Sequence, residues 1–332
     1  MKKINLAVVG ATGMVGRTMI KVLEERNLPI ENIYFFSSSR SAGSTITFNS
    51  KEYTVEELTE TSFDRGIDIA LFSAGGGTSK KFAPIAASKG CVVIDNSSQW
   101  RMDETVPLVV PEVNPQDISW NKGIIANPNC STIQAVVALK PLHDKYKIKR
   151  VVYSTYQAVS GAGVGGYSDL ENGLKGEAPK KFSHPIAGNC LPHIDVFLPN
   201  GYTKEEMKMI DETKKILGDQ NLKITATTVR VPVFHSHSES INIEFEKDFD
   251  LNELIDLLKN APGIVVEDDV ANNVYPMPIN AEGKDEVFVG RIRRDESVES
   301  GVNLWVVADN IRKGAATNTV QIAQELLKIW NK

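Results

Sequence analysis

Apolar positions open the chain as a nearly continuous run over Ile4–Val9, which reads as a buried strand. A glycine turn follows, and then Val15, Met19, Val22 and Leu23 recur at helical spacing as far as Arg26. Short β-type runs return at residues 33–36, 67–72, 91–94 and 123–126, with a helical stretch over 80–88. Strands alternating with helices predict a parallel, doubly wound sheet. Beyond about residue 130 the β-type runs lengthen, at 149–157, 223–231, 240–246, 287–292 and 302–308. These predict a second, mostly antiparallel sheet with helices on one face. The last segment, 314–330, carries Ala316, Val320, Ala323 and Leu327 along one helical face, and its place in either half is open.

Length and composition narrow this picture. At 332 residues the chain exceeds one ordinary core, so two domains are expected at ~100–200 residues each. A hydrophobic content of 42% with 24% charge is that of a globular protein. A net charge of -5 without any Lys/Arg-rich block argues against a nucleic-acid partner. The first apolar run is too short for a membrane span or a signal peptide, so no membrane partner and a cytoplasmic location are expected. Cys91, Cys130 and Cys190 are odd in number and form no CxxC, which excludes a disulfide framework and a thiolate zinc site and fits a reducing compartment.

Gly10-Ala11-Thr12-Gly13-Met14-Val15-Gly16 lies between the first strand and the first helix, where small residues let backbone N–H groups approach a pyrophosphate. The spacing is GxxGxxG rather than GxGxxG, so the placement carries the signal more than the pattern does. After the second strand, where an NAD site would carry a carboxylate, stands Ser37-Ser38-Ser39-Arg40-Ser41. Arg40 among hydroxyls suits a 2′-phosphate and favours NADP over NAD; the other reading is a solvated loop arginine.

Asn127-Pro128-Asn129-Cys130-Ser131-Thr132 follows a strand and precedes Ile133, Val136 and Val137 at helical spacing. A cysteine at a helix start is favoured as thiolate, the nucleophilic form. Cys91 and Cys190 read instead as buried, inert thiols. A nucleophilic thiolate calls for a proton partner, and sequence does not choose among His143, His184, His193, His235 and His237. His235-Ser236-His237 also admits a two-histidine metal site or histidines on a strand edge, but no third ligand motif accompanies it and no metal is expected. A cysteine acyltransferase or hydrolase, or a dinucleotide sensor without chemistry, would share several of these features.

Five motifs in order, the N-terminal glycine turn, NPNCST, YQAVSGAG, RVPVFHSHSE and VVADNIRKGAA, span the chain and together resemble aspartate-semialdehyde dehydrogenase. Glyceraldehyde-3-phosphate dehydrogenase and N-acetyl-glutamyl-phosphate reductase are more distant fold relatives. The resemblance implies an α/β chain: a Rossmann-type NADP-binding domain, residues 1–128 with 312–332, and an α+β catalytic and dimerisation domain, residues 129–311, of the glyceraldehyde-3-phosphate dehydrogenase C-terminal type. It implies NADPH-dependent conversion of L-4-aspartyl phosphate to L-aspartate 4-semialdehyde and phosphate through a cysteine thioester, toward lysine, threonine, methionine and diaminopimelate. In that scheme Cys130 is the nucleophile, His237 moves protons and Gln157 orients the acyl oxygen. Arg101 and Lys215 hold phosphate, Arg230 the α-carboxylate and Glu212 the α-ammonium. Thr12, Gly13, Met14, Val15, Arg40, Ser41, Ser160, Gly161 and Asn310 contact the cofactor. A homodimer or homotetramer is implied, its subunit contact expected on the hydrophobic strands of the second sheet.

Overall fold

Apart from Asn5, every side chain of β1 (Ile4–Val9) is apolar and buried, as the centre of a sheet covered on both faces demands. The structure, a computed structural model, describes residues 3–331. Its chain forms two compact units, Met1–Asn129 with Ala315–Lys332, and Cys130–Gly314.

In the first unit β1 leads into α1 (Met14–Arg26), β2 (Ile30–Ser37), a hairpin of β3 (Thr45–Phe48) and β4 (Lys51–Thr54), and the short β5 (Glu56–Glu57). Then come β6 (Ile69–Phe72), α2 (Gly76–Ser88), β7 (Val92–Asp95) and β8 (Ile124–Ala126). The sheet order is β5-β2-β1-β6-β7-β8, with every ladder parallel. Strand order reverses between β1 and β6, which opens a crevice beyond their carboxyl ends. The hairpin escapes the hydrophobic pattern because its turn residues, Asn49 (φ 48°) and Ser50 (φ 62°), lack the glycine that advertises such a turn. The last segment belongs to this unit. A π-helical turn over Arg312–Thr317 precedes the helix Asn318–Trp330, and Ala316 of the turn with Val320, Ala323 and Leu327 of the helix forms a stripe that joins Met19, Leu23 and Ile94 in the core.

The second unit runs α3 (Cys130–Tyr146), β9 (Ile148–Gln157), α4 (Gly163–Gly173), α5 (Lys204–Leu217), β10 (Lys223–Arg230) and β11 (His237–Phe245). It continues with α6 (Leu251–Lys259), β12 (Ile264–Val266), α7 (Pro278–Ala281), β13 (Val287–Asp295) and β14 (Gly301–Ala308). The sheet order is β10-β9-β11-β14-β13-β12; the three central ladders are antiparallel and the two outer ones parallel. Helix α3 packs on β9, β11, β13 and β14, with α5 and α6 beside it. β11 begins at His237, earlier than its apolar run, because His237, Ser238 and Glu239 are buried polar residues that break the pattern while continuing the strand. No helix among the described residues is long and apolar enough to cross a membrane.

Candidate active site

Cys130 is the first residue of α3 and His237 the first of β11, and their Sγ and Nε2 atoms lie 3.2 Å apart. His237 is fully buried, and its Nδ1 accepts the backbone N–H of Ala158 at 3.0 Å. A backbone amide can only donate, so Nδ1 carries no proton and the neutral ring holds its hydrogen on Nε2, facing the sulfur. Burial, then the charge of Arg230, pushes the histidine pKa down to about 3, against an opposing effect of Glu205. His237 is therefore a neutral hydrogen-bond donor to the sulfur. The residue before it, Ser236, sits at φ 69°, and its N–H donates to Asn310 Oδ1 at 2.9 Å while Asn310 Nδ2 donates to Ser160 Oγ at 3.1 Å. Asn310 thus holds a strained turn that aims the histidine.

Two glycines make room for this pair. A Cβ on Gly161 would lie 2.9 Å from Arg230 Nη1 and 3.2 Å from His237 Cε1. One on Gly314 would lie 2.8 Å from the Cβ of Cys130. Gly161 lies in a 3₁₀ turn over Val159–Ala162, which α4 follows.

Arg230 and Gln157 end the parallel strands β10 and β9 and are register partners. Arg230 Nη1 donates to Ala158 O at 2.6 Å, whereas its buried Nε has no partner among the described residues. A buried guanidinium edge without an acceptor is a place for an anionic ligand. Gln157 takes the Thr155 hydroxyl proton on Oε1 at 2.9 Å and donates from Nε2 to Glu205 Oε1 at 3.1 Å. Glu212 and Lys215 follow on later turns of α5, the first buried and the second half-buried. Arg101 belongs to the other unit, where it is buried and donates to the carbonyls of Asn127 at 2.9 Å and Asn96 at 2.8 Å.

The glycine turn sits at the strand-order reversal. Gly10 adopts φ 82°, and a Cβ there would lie 2.3 Å from Ser73 O; one on Gly16 would lie 2.2 Å from Gly10 O. Helix α1, starting at Met14 and Val15, is capped by Gly13 with no side-chain bond, so its first amides face outward past a glycine. Thr12 Oγ1 and Ser37 Oγ meet at 2.8 Å; Arg40 is exposed and Ser41 half-buried beyond β2. These residues fit a dinucleotide: backbone can approach phosphate closely, and no carboxylate follows β2.

Cys91 is buried, and burial, then Asp68, pushes its thiol up to about 12. Cys190 is exposed, which corrects the expectation of a buried thiol: it lies in the irregular segment between α4 and α5 rather than in an apolar strand. His235 lies 3.7 Å from Glu282, and the described residues contain no group of three or more His, Cys, Asp or Glu side chains able to hold a metal. Glu205, Thr155, Ser236, Gly314 and the Ala158 amide were not legible as site residues. The Thr203-x-x-Glu206 signature could have located the start of α5, and with it Glu205.

The chain matches the family models described as "Semialdehyde dehydrogenase, NAD binding domain" over residues 5–121 and "Semialdehyde dehydrogenase, dimerisation domain" over residues 139–313. It is 62% identical to the aspartate-semialdehyde dehydrogenase of Aquifex aeolicus, over 97% of this chain and 98% of the relative. It is similar to the crystal structure of aspartate semialdehyde dehydrogenase II from Vibrio cholerae complexed with ASA, with TM-score 0.95 and 49% identity over 99% of each chain. The aspartate semialdehyde dehydrogenase of Candida albicans, solved with NADP, matches with TM-score 0.78 and 26% identity over 98% of each chain.

Proposed function

The chain belongs to the aspartate-semialdehyde dehydrogenase family, a family of oxidoreductases, and we propose that it converts L-4-aspartyl phosphate to L-aspartate 4-semialdehyde and phosphate with NADPH as reductant. The step lies in the synthesis of lysine, threonine, methionine and diaminopimelate. The observation that carries the reading is the Cys130–His237 pair at 3.2 Å, with the imidazole proton on the sulfur side and Arg230 and Gln157 ending adjacent strands.

Cys130, favoured as thiolate by the start of α3 and by the Nε2–H of His237, attacks the acyl carbon. The carbon–oxygen bond to phosphate breaks and an acyl thioester remains on sulfur. When bound, the reduced nicotinamide supplies the hydride that takes the thioester to the aldehyde level. The second N–H of Gln157 holds the acyl oxygen while charge develops there. Collapse of the thiohemiacetal expels sulfur as thiolate, so the nucleophile is returned as it began. The one proton consumed per turnover leaves with phosphate. His237 is required to donate a hydrogen bond, not to become a cation, which suits its buried, neutral state.

Arg230 offers its Nε edge to the α-carboxylate, Glu212 takes the α-ammonium, and Lys215 and Arg101 take phosphate. Thr12, Gly13, Met14 and Val15 would hold the pyrophosphate, Arg40 and Ser41 the 2′-phosphate, and Ser160, Gly161 and Asn310 the nicotinamide half. In this scheme residues 1–128 with 312–332 are the NADP-binding domain and 129–311 the catalytic and dimerisation domain. Two copies pair through the open face of the second sheet, as a dimer or as half of a tetramer.

Phosphate-dependent reduction of NADP by L-aspartate 4-semialdehyde, followed through the reduced-nicotinamide absorbance, tests the assignment. Turnover is expected, and Cys130→Ala abolishes it while NADPH still binds. Cys130-dependent ester hydrolysis without nicotinamide reduction, or dinucleotide binding with neither activity, would overturn it.

A further inference from the structure

Strands β7 and β8 end side by side, at Asp95 and Ala126, and each is followed by an asparagine. The sheet continues one step further through the N–H groups: Asn96 donates to Phe72 O at 3.0 Å and Asn127 to Asp95 O at 2.8 Å. The carbonyls of the same two residues lie where the ladders stop, and Arg101 takes both. Its Nε donates to Asn127 O at 2.9 Å and its Nη2 to Asn96 O at 2.8 Å. Nε and Nη2 form one edge of a planar guanidinium, so two fixed acceptors there set the plane of the group and the direction of its far end.

The side chains of the two asparagines are fixed in turn. Asn96 Nδ2 donates to Phe72 O at 3.1 Å, which leaves Oδ1 to accept Asn127 Nδ2 at 3.1 Å. That turns Asn127 Oδ1 toward Asn318, whose Nδ2 donates to it at 2.7 Å and to Val109 O at 3.0 Å. Backbone carbonyls, which can only accept, close the series at both ends, so each of the three amides has one orientation. Asn127 and Asn318 are buried, and Asn318 opens the helix Asn318–Trp330. Thr319 Oγ1, one residue on, lies 3.0 Å from Asn96 Oδ1, so the helix start reaches both asparagines. All of these residues belong to the first unit.

We propose that Asn318 is a positioning residue for phosphate binding: through Asn127 and Asn96 it braces the two carbonyls that aim Arg101. The proposal rests on the role given to Arg101 above. Without the Asn318 amide the Asn127 carboxamide can turn, and the carbonyl that holds Nε loses its brace. Arg101 then keeps its charge but not its fixed plane, and a guanidinium binds phosphate strongly through oriented hydrogen bonds rather than through charge alone. Phosphate affinity should fall while the chemistry on sulfur keeps its rate.

Phosphate-dependent reduction of NADP by L-aspartate 4-semialdehyde, run on the full-length protein over a range of phosphate concentrations, tests this. Arg101→Ala is expected to raise the KM for phosphate ~100-fold, the cost of a charged hydrogen-bonding partner, and Asn318→Ala ~10-fold with kcat and the KM for the semialdehyde within about threefold. The double variant should match Arg101→Ala within about twofold, because a residue acting through another loses its effect when that one is gone. Asn127→Ala cuts the same series one link nearer Arg101; it should give the same pattern and serves if Asn318→Ala does not fold. A wild-type phosphate KM in Asn318→Ala, with or without the fall in kcat that a merely structural role would give, would overturn the role of Asn318, as would a double variant whose phosphate KM rises by the product of the two single effects. A wild-type phosphate KM in Arg101→Ala would instead overturn the part given to Arg101 and remove the basis of the proposal.

Discussion

His237 shows how one buried side chain ties chemistry to stability. Its pKa drops from 6.5 in the unfolded chain to about 3 in the fold, because burial and Arg230 oppose the cation. Between those values the unfolded state binds the additional proton, so this contribution is complete above pH 6.5 and is lost progressively toward pH 3. The loss should reach on the order of 4 kcal/mol at the bottom of the window. Urea unfolding at a series of pH values should show a shallower acid decline in His237→Asn than in the wild type; parallel curves would place the proton elsewhere. Glu239, on the same face of β11, works in the opposite sense. Burial raises its pKa well above 4.5, so its contribution is present below 4.5 and is lost as pH rises.

At the scale of elements, helix starts set the site. Cys130 opens α3, and the capping box of α5 brings Glu205 to Gln157. Thr203→Ala removes the side-chain acceptor of that box and should cost about 1 kcal/mol in calorimetric unfolding. Arg40 stands three residues beyond the end of β2, where we propose that it takes the 2′-phosphate of the cofactor. Arg40→Ala is expected to raise the KM for NADPH at least ~10-fold more than that for NADH, since a charge-assisted phosphate contact is lost in one case only. Equal effects in steady-state kinetics would remove Arg40 from the 2′-phosphate site.

For the whole molecule, the face of the second sheet opposite α3 is covered only in part among the described residues, by the segment at Pro276 and by α7. The rings of Tyr156 and Trp305 meet there at a tilt of 50° with centroids 5.5 Å apart, beside half-buried Ser240, Asn242 and Asn303, and Tyr275 and Met277 lie exposed nearby. An apolar patch of this kind on a sheet suits a symmetric, isologous contact. Sedimentation should give at least twice the 36.5 kDa chain mass, and Tyr156→Glu with Trp305→Glu should return it to the single-chain value. A wild-type protein that sediments as one chain would refute the contact.

Hydrophobic periodicity alone located the parallel sheet, the longer strands of the second sheet and the final helix, because those elements bury regular apolar faces. The glycine turn and the NPNCST helix start were legible for a related reason: each has a local backbone demand that few residue types meet. Tertiary structure decided the rest. The sequence left five histidines open on the residues alone, and folding places the ring of His237 against Cys130 across 107 residues of chain, with a backbone amide choosing its tautomer. Gly314 and the strained Ser236 had no visible signature, since what distinguishes them is the neighbour they meet. Periodicity reports which side of an element is buried; only the packed chain determines what it is buried against.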